Sequence, residues 1–244
     1  MVRTANPALN EKIFTAIPYY GENVMTVNGA VAKTGVLLGL CVLTAAWTWS
    51  MASAAPETAM PWVIGGLIGG LVTAMVTIFK KNLAPITGPL YAALEGLALG
   101  AISALFEMQY PGIVVSAVGL TFGVLAVMLF AYRTGLVRAT DKFKMGVVAA
   151  TGGIFLVYMV TLVLSFFRIQ VPMIHSAGTF GILFSLFVVV IAALNLVLDF
   201  DFIENGAAAG APKYMEWYAA FGLMVTLVWL YIEILRLLSK MRRR

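Results

Sequence analysis

Two carboxylates stand in stretches of this chain that are otherwise apolar enough to lie in a membrane. Asp199 closes the run from Gly178 to Phe200, and Glu233 lies within the run from Trp217 to Leu238. An acid inside a membrane span costs at least a few kcal/mol unless it is protonated, paired or facing water. Both residues are therefore candidates for binding a proton. Deprotonated, their oxygens are hard ligands suited to Ca²⁺ or another hard cation. If the two acids approach one another, they titrate as a coupled pair and can share one proton. Glu95, beside Gly96 in another apolar run, is a secondary candidate, as are Asn195, Asp201 and Arg236. A solvated helix end is the plainer reading of Asp201 and competes for Asp199, while an i,i+3 pair with Arg236 competes for Glu233. His175, with no Cys or His near it in sequence, reads as a loop residue and not as a metal ligand.

The elements that must hold these groups are transmembrane helices. With 61% hydrophobic and 11% charged residues among 244, and a mean hydropathy of +0.96, the chain is not an ordinary soluble domain. Runs of about 20 apolar residues, enough to cross a bilayer, lie near 33–52, 62–79, 87–107, 112–132, 145–166, 178–200 and 217–238. The expected fold is an all-α polytopic membrane protein, with a polar segment over 1–30 and one seven-helix domain over 31–244. The first thirty residues lack the basic-then-apolar pattern of a cleaved signal, so the first span is expected to be retained. Cys41 is the single cysteine, which excludes an intramolecular disulfide.

Helices in lipid cannot find one another by the hydrophobic effect, so small and polar residues mark the packed faces. Gly66, Gly70, Thr73, Thr77 and Lys80 recur at steps of four and three, which is one helix face. The sixth span has Gly181, Ser185, Ala192, Asn195 and Asp199; the seventh has Gly222, Thr226, Trp229, Glu233 and Arg236. Packing accounts for the glycines. It is a poor account of two acids, since small residues pack without a desolvation penalty. Spans two and six run in the same direction, so Lys80 and Asp199 end at the same surface and can pair across the mouth of a central path.

A cytoplasmic N-terminus places Arg3, Lys12, Lys33, Lys80, Lys81, Arg133, Arg138, Lys142, Lys144 and Lys213 inside, leaving Arg168 in the outer loops. That bias matches the positive-inside rule. The basic tail from Arg236 to Arg244 opposes it, because seven spans put the tail outside; either it is tolerated there or the last segment does not fully cross. The formal charge of +5 does not indicate a nucleic-acid partner, since the basic residues sit at span ends. The partners expected are the lipid bilayer and a cation, with no cofactor.

The stretch Leu196-Val197-Leu198-Asp199-Phe200-Asp201-Phe202-Ile203, followed by Leu230-Tyr231-Ile232-Glu233-Ile234-Leu235-Arg236, resembles the end of the Bax-inhibitor-motif (transmembrane Bax inhibitor) family. Pro89 through Ser103 resembles its third span. The resemblance covers most of the chain from the first span onward and is to a bacterial-type member. It implies seven helices with the last one central, and a pH-sensitive calcium leak. It further implies an acid pair on the last two helices as pH sensor, here Asp199 and Glu233, and a basic latch at the end of the second helix, here Lys80 or Lys81. Glutamate stands where the family has its second aspartate, and lysine replaces arginine at the latch, losing bidentate pairing. A weaker closed state or a shifted pH response is expected.

Other classes fit less well. Intramembrane aspartyl proteolysis commonly has a Gly-x-Gly-Asp context, and here it is Val197-Leu198-Asp199; no His-Glu-x-x-His zinc motif occurs. A retinal Schiff base needs a lysine inside the last span, and Lys213 and Lys240 only flank it. An enzyme is therefore not expected. A proton-coupled secondary transporter is the main alternative, because intramembrane acids also serve proton coupling. A non-conducting regulatory membrane protein is the third. The expected location is a bacterial inner membrane.

Overall fold

A computed structural model describes residues 24–167 and 178–243. Among the described residues seven α-helices follow one another: α1 Val27–Ala54, α2 Ala59–Phe79, α3 Ala84–Gln109, α4 Ile113–Arg133, α5 Asp141–Phe166, α6 Thr179–Ala208 and α7 Met215–Arg242. All seven are long and apolar enough to cross a membrane. Single 3₁₀ turns at Pro56–Thr58 and Lys81–Leu83 lead into α2 and α3. Arg3, Lys12, Arg168 and His175 lie outside the described residues.

The helix ends follow local chemistry. Thr26 Oγ1 accepts from Gly29 N at 2.9 Å, so α1 starts at Val27, inside the stretch read as polar. Thr140 Oγ1 caps α5 through Phe143 N, with Asp141 in the first turn, favourable at the positive end of the helix dipole. The α4 start is reached through Gly112 at φ 81°, a left-handed conformation that glycine adopts without penalty. The Glu107 carboxylate then accepts from Gly112 N and Val114 N, satisfying amides that no helical carbonyl can reach.

The small-residue faces pack as the sequence implies. A Cβ on Gly96 would lie 2.4 Å from Cys41 O, and one on Gly100 2.1 Å from Ala45 O. The backbones of α1 and α3 are thus in direct contact. Gly66, Gly70, Thr73 and Thr77 of α2 are buried, Gly66 against the Leu94 carbonyl of α3. Helix α7 is the core. It packs against α1, α3, α4 and α6, and Tyr218, Phe221, Met224, Leu230 and Leu235 on it are fully enclosed. Helix α5 reaches α7 through Tyr158. Helix α2 stands behind α3, and only the turn Lys81–Leu83 brings that corner to α7. The last helix is therefore central, and it is one continuous helix from Met215 to Arg242, long enough to cross completely.

Candidate functional site

Asp199 and Glu233 are each 1% exposed. Both stripes predicted for α6 and α7 face inward, with Gly181, Ser185, Ala192 and Asn195 buried on α6 and Gly222 and Thr226 on α7. The acids nevertheless sit at different depths. Lys240 donates to Gly181 O at 3.1 Å and to Ser185 Oγ at 2.8 Å, which sets the antiparallel register of the two helices. Phe202, three residues after Asp199, packs its ring on Tyr218, whereas Tyr158, which bonds Glu233, packs on Phe184; Asp199 thus lies near the hairpin turn and Glu233 far from it. At 1.5 Å rise per residue the two carboxylates are roughly 15–20 Å apart along the bundle axis.

That separation corrects the expectation of a shared proton, and equally of one Ca²⁺ held by both acids, since calcium ligands stand within about 2.6 Å of the ion. The physical reason is the helix hairpin: residues pair when they are equidistant from the turn, and Glu233 is much farther from it than Asp199. Among the described residues, no group of three or more His, Cys, Asp or Glu side chains could hold a metal ion.

Glu233 has its own partners. Its Oε1 accepts from Arg236 Nη1 at 2.7 Å and from Tyr158 Oη at 2.9 Å. Arg236 Nη1 also donates to Tyr158 Oη at 2.9 Å, and its guanidinium lies over the Tyr158 ring. The second oxygen, Glu233 Oε2, is buried without a hydrogen-bond partner among the described residues. The local pair with Arg236 is thus present, and it satisfies one oxygen of two.

The basic candidates also separate. Helix α2 ends at Phe79, and Lys80 has φ −124° and ψ 71°, so the phase that buries Thr73 and Thr77 does not carry on to it. Lys80 is exposed and forms no salt bridge with Asp199. Lys81, in the 3₁₀ turn, is turned inward, with its Nζ 5.8 Å from the centre of the Tyr218 ring. Tyr218 is fully buried, and its hydroxyl finds no hydrogen-bond partner among the described residues. It packs against Phe202, three residues after Asp199 on α6, with ring centres 6.4 Å apart.

The remaining candidates have structural partners. Asp201 is not a solvated helix end: its Oδ2 accepts from Lys144 Nζ at 2.6 Å and from Asn205 Nδ2 at 2.9 Å. Asn195 Nδ2 donates to Thr151 Oγ1 and Ile191 O, fastening α6 to α5. Glu95 is buried on α3, where a Cβ on Gly70 would meet its Oε1 at 2.7 Å; it belongs to the α2–α3 contact and not to the α6–α7 site.

The profile of the family described as Bax inhibitor 1 like matches residues 6–243, nearly the whole chain. The chain belongs to this family. No curated protein and no solved structure matches it. In this Bax inhibitor 1 like protein the sequence reading missed several polar groups of the core. Tyr158 and Lys240 meet the site from across helix contacts. Glu216, 1% exposed, accepts from Thr26 N, Thr26 Oγ1 and Lys213 Nζ. Of these, Glu216 had a readable signal: an acid in the first turn of the last apolar run, three residues after a lysine.

Proposed function

We propose that this Bax inhibitor 1 like protein is a pH-sensitive cation leak, with calcium as the ion best suited to its acids. Asp199 and Glu233 act in it as two protonatable stations at different depths. The supporting observation is the placement of two carboxylates, each 1% exposed, on the two helices that form the centre of a membrane-crossing bundle. Such groups are costly to bury, and packing alone is served better by small residues. A cation moving along α7 would meet the acids in turn, which suits conduction better than tight capture. In this reading the enclosed geometry is the closed form. Lys81 over Tyr218 takes the place of the expected latch at the end nearer Asp199. Loss of the Asp199 charge on protonation weakens any attraction to that lysine, so the leak is proposed to increase as pH falls. A cytoplasmic N-terminus belongs to the same reading; it is supported by Lys33, Lys80, Lys81, Arg133, Lys144 and Lys213 sharing one end of the bundle.

Calcium flux into liposomes across pH, comparing wild type with Asp199→Asn and Glu233→Gln, tests the reading. Asp199→Asn is expected to flatten the pH response, and Glu233→Gln to lower flux while leaving its midpoint in place. A double variant that keeps the wild-type pH profile and rate refutes it. A requirement for a counter-substrate would identify a proton-coupled transporter instead, and absence of any flux a non-conducting regulator.

A further inference from the structure

Helices α1 and α4 flank α7 on one side without packing against each other along their length. Between them runs a cavity of about 500 Å³, within the roughly 300–1,000 Å³ typical of ligand pockets. Its floor is α3 and α7, with Leu99, Met224 and Leu227 buried, and its rims are Val42 of α1 and Val115 and Phe122 of α4. Those rim residues are 59%, 77% and 47% exposed, so the groove opens sideways, toward bilayer and not toward water. The polar groups at the floor make no demand on a ligand. Ser103 Oγ and Tyr231 Oη lie 2.6 Å apart and hydrogen-bond each other. Glu107, at the end near the α3–α4 turn, spends both oxygens on amides of α4.

That end of the groove carries fixed positive charge. Arg242 Nη1 donates to Pro111 O at 2.6 Å, and Arg243 Nε to Tyr110 Oη at 2.7 Å. Both side chains are exposed. Each guanidinium has five N–H donors, so these bonds orient the group and leave other donors facing outward. Arg242 Nη2 lies 4.0 Å from where a Cβ on Gly112 would stand, two residues from Val114, which lines the groove. An apolar slot that faces lipid and ends at two oriented guanidiniums matches a molecule with an alkyl chain and a phosphate.

We propose that this groove binds an anionic glycerophospholipid, one acyl chain lying between α1 and α4 and the phosphate held by Arg242 and Arg243. Within hydrocarbon an acyl chain gains nothing from hydrophobic transfer; it enters because an empty groove would forfeit its dispersion contacts. Selectivity then comes from the charge-assisted bonds to phosphate. This site shares no residue with Asp199, Glu233 or Lys81, and it stands whether or not the protein conducts ions.

Native mass spectrometry of the detergent-purified protein, titrated separately with phosphatidylglycerol and phosphatidylcholine, tests the proposal. Wild type should retain one phosphatidylglycerol in preference to phosphatidylcholine. Arg242→Gln with Arg243→Gln should weaken that binding roughly twenty-five-fold, about fivefold per guanidinium. Val118→Trp, at an exposed position lining the groove, should abolish it by filling the slot, with the lipid-free melting temperature held as a folding control. Equal affinity for the two lipids overturns the proposal. So does phosphatidylglycerol binding that survives both variants, or a groove occupied by a second copy of the chain.

Discussion

Removing the Asp201 charge should damage the fold and spare the pH response, the reverse of removing the Asp199 charge two residues away. Lys144 Nζ lies 2.6 Å from Asp201 Oδ2, with the side chains 4% and 16% exposed. Asp201→Asn removes the carboxylate that lies 2.6 Å from an enclosed ammonium, a change that costs about 3–5 kcal/mol for well-buried pairs. The partial exposure of Asp201, and the amide oxygen that still accepts a bond, put the expected loss near 3 kcal/mol. For a chain of this size 1 kcal/mol moves the melting temperature by about 2–4 °C, so a fall of roughly 6–12 °C follows. Replacing both partners, Lys144→Met with Asp201→Leu, should cost less than Asp201→Asn, because neither member of the pair is left facing the other's gap. The molecule carries its own reporter: Cys41 is its single cysteine and is 6% exposed, so a thiol-reactive dye follows unfolding in detergent. If the double variant loses as much as the two single variants together, the pair is not coupled and the reasoning fails. If Asp201→Asn moves the pH midpoint of calcium flux, Asp201 belongs to the sensor and not to the scaffold.

Lys81→Ala is expected to raise basal calcium flux at neutral pH while Lys80→Ala leaves it unchanged, since Lys81 lies over Tyr218 and Lys80 is exposed; liposome flux with both proteins folded decides it, and the opposite pattern would restore Lys80 as the latch. Gly100→Ala should destabilise by roughly 2 kcal/mol. Its Cβ would stand 2.1 Å from Ala45 O, an overpacking cost of about 1–3 kcal/mol at its upper end, offset by about 1 kcal/mol of helix propensity. Gly119→Ala, with nothing within 4 Å, should be neutral or slightly stabilising in the same thiol-reactivity melt; a loss equal to that of Gly100→Ala would refute the contact argument.

The helices were legible because lipid imposes one rule on every span: all backbone polar groups must be bonded within the helix, so hydropathy marks its length. Packed faces were legible for a related reason, since only small residues allow backbones to touch, as Gly66, Gly96 and Gly100 do. Asp199 and Glu233 stood out because charge is rare at that depth. What the sequence lacked was relative depth. The stripe on α2 predicted Thr73 and Thr77 correctly and failed at Lys80, where the helix had already ended. Periodicity also says nothing about register between helices, so two acids on the inner faces of α6 and α7 looked like a pair when the hairpin keeps them apart. Tyr158, Lys144 and Lys240 were invisible because each gains its role from a helix distant in sequence, and a lone tyrosine or lysine in an apolar run carries no spacing signal.

The tie between Thr26 and Glu216, reinforced by Met25 N bonding Ala211 O at 2.7 Å, joins the starts of α1 and α7 across 190 residues of sequence. The helix at the middle of the bundle is also made after the six that surround it. Six helices must therefore wait in the bilayer around an unfilled slot, with Ser103 of α3 and Ser185 of α6 lacking the Tyr231 and Lys240 they bond in the finished molecule. Such a six-helix chain leaves both hydroxyls without these partners and lacks the α7 side of the groove floor. Insertion of α7 completes every one of these contacts at once, so biogenesis has a single late committing step. A chain interrupted before Met215 is expected to leave uncovered the polar faces of α3 and α6 that α7 buries in the finished fold.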